Sequence, residues 1–235
     1  MGVPADEVEY YEALALDAGK RFESEPAEAV LTWAAETFGD KFCITASMAD
    51  ALLIDLASKA QPGVNVVFLD TGYHFAETLQ TRDRVEQRYN IALHSILPKQ
   101  TVAEQDATFG PKLHDRDPDA CCSLRKVEPL RRTLNGYYAW ASGIRRDEAE
   151  SRRNSGVVEW DRKRSMVKVN PIATWTQEQV DEYVMANDVE VNPLVYDGFP
   201  SIGCGPCTRR VQAGEDARAG RWSNRGKTEC GLHLD

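Results

Sequence analysis

The sequence predicts an α/β fold, a mostly parallel twisted sheet with helices on both faces, and three observations carry that expectation. Short apolar runs end at polar or glycine-bearing turns in KFCITAS (41–47), VNVVFLDTG (64–72) and IALHSIL (91–97). Helical stretches at 50–60 and 75–89 lie between them, the alternation that parallel strands joined by crossover helices require. Two further runs, YYAWASG (137–143) and SMVKVNPI (165–172), supply a fourth and a fifth strand. A chain of 235 residues falls within the roughly 200–250 that α/β folds often fill as one domain, enough to bury about 70% of the unfolded surface.

Residues 6–22 and 26–38 have the apolar spacing of amphipathic helices, with Pro26 suited to a first helical turn, so two helices precede the core. Another helix is expected over 176–187 (TQEQVDEYVMAN). From 188 onward the chain is rich in Gly, Pro, Asn and charge and has little to pack with. The expected organisation is one α/β body over 1–215, with 1–38 as its N-terminal helices. A mobile tail over 216–235 would be ordered only by docking against that body.

Composition narrows the function classes. No apolar run approaches the ~18 residues that span a bilayer, which argues against a membrane protein. The N-terminal MGVPADEVEYYEALALDAGK carries acids and lacks a basic segment followed by an apolar one, so a cytoplasmic protein without a secretory signal is expected. A net charge of −9 argues against nucleic acid as the main partner, because such binding rests on many phosphate contacts from Lys and Arg.

In a reducing compartment six cysteines do not form a disulfide framework, and their spacing points to metal binding or redox chemistry. Cys43, inside an apolar strand run, reads as a buried core thiol. Cys121 and Cys122 are adjacent, and Cys204 and Cys207 form a C-x-x-C; together they could complete a zinc site or an iron–sulfur cluster. The adjacent pair favours the cluster, since neighbouring residues reach two corners of a larger body more easily than two corners of one tetrahedral ion. CGPC also spells a redox dithiol, but the glycine-rich residues beyond Cys207 cannot supply the helix and sheet of a thioredoxin unit. Cys230 stands apart on the tail.

Neither a G-x-x-x-x-G-K-[ST] loop nor a G-x-G-x-x-G fingerprint is present, so another anion site is needed. Thr45 and Ser47 close the first strand just before a helix starting near Asp50, where free backbone N–H groups favour a phosphate. Asp70, Thr71 and Gly72 end the second strand and offer carboxylate, hydroxyl and backbone groups to a nucleoside. Cations cluster beside the strand ends and cysteines: Arg125 and Lys126, then Arg145, Arg146 and Arg152, then Arg209 and Arg210, with Arg218 and Arg221 in the tail. Such placement in an acidic chain suggests a small polyanionic ligand, and would also offset the charge of a thiolate-bound cluster. His74, His94 and His114 lack metal-like spacing and read as packing or solvent contacts.

CC (121–122), CGPC (204–207), LDTG (69–72), GIRRDEAESR (143–152) and ECGLH (229–233) together resemble the sulfonucleotide reductases, over about residues 28–235. The four paired cysteines are similar to those of the branch that reduces adenosine 5′-phosphosulfate (APS) and carries a [4Fe–4S] cluster. Members without them use the 3′-phosphorylated nucleotide (PAPS). The resemblance implies an adenine-nucleotide α-hydrolase-like (PP-loop type) fold with APS at the strand ends. It also implies Cys230 as nucleophile, Cys121, Cys122, Cys204 and Cys207 as cluster ligands, and Lys126 between cluster and substrate. Arg152, Arg218 and Arg221 would contact the phosphosulfate, with Ser47, Asp70, Thr71, Gly72, Gly143, Arg145 and His233 completing the substrate site. One departure stands out: ASMADA lacks the glycines usual in the pyrophosphate loop of related ATP-using enzymes. The expected chemistry is attack of Cys230 on the sulfate sulfur, release of AMP, and cleavage of the S-sulfocysteine by thioredoxin to give sulfite.

Overall fold

The computed structural model describes residues 2–223, 227 and 229–232. Helices α1 (Val8–Phe22) and α2 (Ala27–Phe38) come first, and Pro26 caps α2 from the extended region, one place before the first turn. Then β1 (Phe42–Ala46), α3 (Leu52–Ala60), β2 (Val64–Leu69), α4 (Ala76–Arg88) and β3 (Ile91–Ile96) follow close to the predicted bounds. Residues 98–136, for which the sequence pattern predicts no element, form α5 (Val102–Phe109), α6 (Leu113–Arg116), α7 (Pro118–Cys122) and α8 (Glu128–Leu134). Each is at most eight residues long, too short for a 3.6-residue period to declare itself. One wide turn with i→i+5 character, 123–127 (SLRKV), joins α7 to α8; such turns concentrate at functional sites.

The fourth strand is shorter than expected: β4 is Ala139–Ala141, after which Ser142 N–H still donates to Val169 O at 2.9 Å before the chain leaves the sheet. A further strand, β5 (Val158–Asp161), pairs antiparallel with β6 (Met166–Val169). The connecting Arg162-Lys163-Arg164-Ser165 has no Asn or Gly to announce a hairpin, and Ser165 takes φ 50 itself. Helix α9 (Gln177–Ala186) starts at a reciprocal cap in which Thr176 Oγ1 accepts from Gln179 N and Gln179 Oε1 accepts from Thr176 N. The short α10 (Pro193–Tyr196) follows.

The six strands order as β3-β2-β1-β4-β6-β5, with every neighbouring pair parallel except β5 and β6. The chain moves outward from β1 to β3, then returns to the far side of β1 as β4. The strand order therefore reverses between β1 and β4, and a crevice opens there beyond their carboxyl ends.

Side-chain alternation divides the strands between two cores of unequal size. Phe42 and Ile44 of β1, Val64, Val66 and Phe68 of β2, and Val167 and Val169 of β6 join the larger one. It is packed by residues such as Phe22 of α1, Leu31 of α2, Leu56 of α3 and Val180 of α9. The opposite face presents Cys43, Val67, Trp140 and Met166, covered by Leu130 and Leu134 of α8. Cys43 is the buried core thiol expected, and burial raises its pKa far above the ordinary thiol value. Leu232, from the C-terminal segment, packs against this smaller core.

Candidate active site

A cavity of about 340 Å³ occupies the crevice. Thr45 and Ser47 line it from the end of β1, Leu69 and His74 from the end of β2, and Ser142 and Gly143 from the end of β4. The loop after β4 adds Arg145 and Arg152, the wide turn before α8 adds Lys126, and the C-terminal segment adds Arg218, Arg221 and Cys230. Residues more than a hundred positions apart in sequence thus share one space.

The loop after β1 shows how a chain without the expected glycines makes this turn. Met48 is fully buried with φ 61, a left-handed conformation that costs a side-chain-bearing residue roughly 1–2 kcal/mol. Asn192 holds it there, its Nδ2 donating to Met48 O at 3.0 Å while its backbone N–H donates to Ala49 O at 3.0 Å. Asp50 Oδ1, one place before the N-cap Ala51, accepts from Leu52 N at 3.0 Å at the start of α3, and Ser47 lies upstream on the cavity wall. Burial raises the Asp50 carboxyl above its ordinary value, against the opposing Leu52 N–H and Arg145 charge.

A second, smaller cavity lies behind the first and is lined by Cys121, Cys122, Cys204 and Cys207. Its walls include Lys126, Arg221 and Trp222, which also line the larger cavity, so the two spaces share a wall. Burial, reinforced by the neighbouring thiols, pushes Cys121 up to about 12. Burial pushes Cys122 up to about 11, against the pull of Lys126 and Lys227. Asp70, Thr71 and Gly72 are not among the residues lining the larger cavity, and of the three it is Thr71 that meets a thiol. Thr71 Oγ1 lies 3.3 Å from Cys204 Sγ, and Arg125 Nε donates to Thr71 O. Gly72 has φ 71, and a Cβ there would meet Arg125 Nη2 at 3.1 Å, so glycine lets the loop and the buried guanidinium approach. Asp70 Oδ1 accepts from Gly72 N at 3.0 Å and closes the turn.

The C-terminal segment is tied down at several points. Arg209 N donates to Gly220 O at 3.0 Å and Trp222 N to Cys207 O at 3.0 Å, so 220–222 run beside the C-x-x-C segment. Arg221 sits against Gly203, where a Cβ would meet its Nη2 at 2.4 Å, and donates to Ile202 O at 3.2 Å and Ser201 Oγ at 3.3 Å. Glu229 is buried: Arg152 Nε and Nη2 donate to its two oxygens at 2.8 and 3.0 Å, and Arg218 Nη2 lies 3.1 Å from Oε2. Burial alone would raise the Glu229 carboxyl, but hydrogen bonding and charge from Arg152, with Arg218, hold it below its ordinary value. Two residues beyond Cys230, Leu232 O accepts from Arg164 Nη2 at 3.0 Å, and Arg164 stacks over Trp140 at 5.3 Å. Lys227 pairs with Asp119, at the start of the helix that carries the adjacent cysteines.

Electrostatics join the two cavities. Burial alone would lower the Lys126 ammonium, yet Cys204, Cys230 and Cys122 together hold it above its ordinary value. Burial and Arg218 lower Arg221, against Cys230, Cys204 and Cys207. Arg145 is already engaged, with Asp147 at 3.0 Å and Gln177 Oε1 at 2.7 Å. His233 lies outside the described residues. The structure adds Glu229, Trp222 and His74, which sequence reasoning gave no chemical role. Glu229 and Trp222 adjoin residues already singled out, but their partners are set only by tertiary structure.

The reversing parallel sheet and the cation-lined crevice, with Cys230 among its lining residues, are those of an α/β protein of the adenine-nucleotide α-hydrolase-like type. The chain belongs to the phosphoadenosine phosphosulfate reductase domain family, whose model matches residues 42–210. It is 61% identical over 225 residues to the adenosine 5′-phosphosulfate reductase of Streptomyces coelicolor, covering 96% of this chain and 95% of that one. It is 47% identical over 237 residues to the protein of the same name from Mycobacterium tuberculosis, covering 94% and 93%. The crystal structure of phosphoadenylyl-sulfate reductase from Candida auris, a phosphate complex, superposes with a TM-score of 0.72 at 26% identity over 90% of this chain and 99% of that one. The FMN adenylyltransferase of Candida glabrata shares the fold alone, at a TM-score of 0.54 and 14% identity over 87% of this chain and 74% of that one.

Proposed function

We propose that this protein is an adenosine 5′-phosphosulfate reductase of the cytoplasm, with Cys230 as its nucleophile and thioredoxin as its reductant. The observation that carries the reading is the shared wall: Lys126, Arg221 and Trp222 separate a nucleotide-sized cavity holding Cys230 from a small one holding four thiols. The Cys230 thiolate attacks the sulfur of the phosphosulfate; an S–S bond forms, the S–O bond to the phosphate breaks, and AMP leaves with the electron pair. Cationic side chains around the cavity offset the charge that gathers on the sulfonate and the leaving phosphate. A thiolate of the dithiol partner then attacks Cys230 Sγ and sulfite departs with the S–S electron pair. The partner's second thiol releases Cys230, so the dithiol supplies the two electrons.

The donor set suits a [4Fe–4S] cluster better than a single ion. Among the described residues no three His, Cys, Asp or Glu are placed to hold one metal ion, yet four cysteines surround one cavity. Cys121, Cys122, Cys204 and Cys207 would hold the cluster's four corners as thiolates. Bound there, the cluster would supply a fixed anionic body beside Lys126 and Arg221. Ser47, Gly143 and Arg145 would line the nucleotide, and Asp70, Thr71 and Gly72 would join its strand end to the cluster.

The test is the mass of the anaerobically purified protein after incubation with APS and no thiol. A gain of one SO₃ group, absent from Cys230→Ser and removed by thioredoxin, is the expected result. An adduct from PAPS but not APS would move the chain to the other branch of the family, and none from either would overturn the reading.

A further inference from the structure

The four cations assigned to the phosphosulfate are not equivalent once the C-terminal segment is docked. Arg152 and Arg218 are both committed to Glu229, whose carboxylate is only 4% exposed and also accepts from Ser151 Oγ at 3.3 Å. Arg152 additionally pairs with Glu148. Among the described residues Lys126 and Arg221 form no carboxylate ion pair, and Arg221 Nε is buried without a hydrogen-bond partner. These two also line both cavities, on the wall between the nucleotide side and the thiols.

Glu229 directly precedes Cys230, so whatever fixes the carboxylate fixes the thiol to within one residue. A buried carboxylate has a steep desolvation penalty, which two guanidiniums and a hydroxyl offset only in one geometry. That makes the ion pair a directional latch, whereas Leu232 on the other side of Cys230 is held by an apolar contact and one carbonyl.

We propose a division of labour among the four cations, resting on the assignment of Cys230 as nucleophile. Arg152 and Arg218 receive Glu229 and place the thiol; Lys126 and Arg221 are left to the transferred sulfonate. Glu229 is then a positioning residue, and its charge acts on the chemical step through the thiol that it places.

The experiment uses the full-length, cluster-bearing protein. The rate of SO₃ transfer to Cys230 is measured in single turnovers at saturating APS, and the Kd for APS is measured in a Cys230→Ser background. Glu229→Gln is expected to slow transfer at least tenfold while APS affinity is unchanged or tighter, because two guanidiniums are released. Arg221→Ala is expected to weaken APS binding instead. Adding Arg152→Gln to Glu229→Gln should slow transfer little further, the non-additivity of groups acting as one unit. Glu229→Asp, which keeps the charge with a shorter reach, should recover part of the rate, and gives the same comparison if the amide variant does not fold. A parent-like transfer rate in Glu229→Gln, or a loss confined to APS affinity, would overturn the inference. Absence of an SO₃ adduct on the parent would strike the nucleophile assignment instead.

Discussion

The two faces of the sheet are built to different standards. One is covered by long helices and holds most of the fully buried side chains, including Leu31, Ile44, Leu56 and Val66. Among the described residues the other has six buried side chains in its core, and Leu232 of the C-terminal segment packs against them. The difference teaches how unequally the packing is shared: the thick face closes on the long helices, whereas the thin face takes Leu232 of the C-terminal segment into its packing. The expected separation is stability on the thick face and, with Cys230 as the proposed nucleophile, reactivity beside the thin one.

That separation can be broken or sharpened by substitution. The largest effect is expected from Cys230→Ser, which should cut sulfite release by about 10⁴-fold or more with thermal stability unchanged. A large loss of stability in that variant would show that the thiol belongs to the packing. On the thick face, Leu31→Ala should cost about 2–5 kcal/mol of unfolding free energy while leaving the activity of the folded fraction intact, as measured by denaturant melts alongside initial rates. If activity fell with it, the two faces would not be independent.

Much of the fold was legible in the sequence, though the unequal faces were not, and the illegible parts share a cause. The strands β1, β2 and β3 are short, mostly apolar runs bounded by turns, so their type and their succession along the chain could be read. The short helices between β3 and β4 could not, because α6, α7 and α8 take their stability from the thiol cavity and the thin face, not from a periodic pattern of their own. The paired cysteines, Lys126 and the arginines announced themselves by type and spacing. Glu229 did not: its partner Arg152 is 77 residues away, a pairing that no local pattern encodes. Met48 is the converse case, a position where a missing glycine was noticed and where the structure answers with a strained methionine held by Asn192.

Smaller effects test the thin face itself. Leu232→Ala removes its apolar latch and should weaken docking by about 1–2 kcal/mol, read as roughly five- to thirtyfold faster labelling of Cys230 by a bulky thiol reagent. Unchanged labelling would mean that the ion pair alone closes this face. The smallest effect concerns pH. Glu229, faced by Arg152, Arg218 and Ser151, has its pKa lowered below the ordinary 4.5, so its stabilising contribution is fully present above that value and is lost as pH falls through the folded pKa. The difference in melting temperature between the parent and Glu229→Gln should therefore be flat from pH 8 to about 5.5 and shrink below about 4.5. A difference that grew on acidification would contradict the ion-pair account.

The wall shared by the two cavities makes them one mechanical unit. Lys126, Arg221 and Trp222 shape the nucleotide side and the thiol side at once, so neither space can be remodelled by substitution at these three positions without the other feeling it.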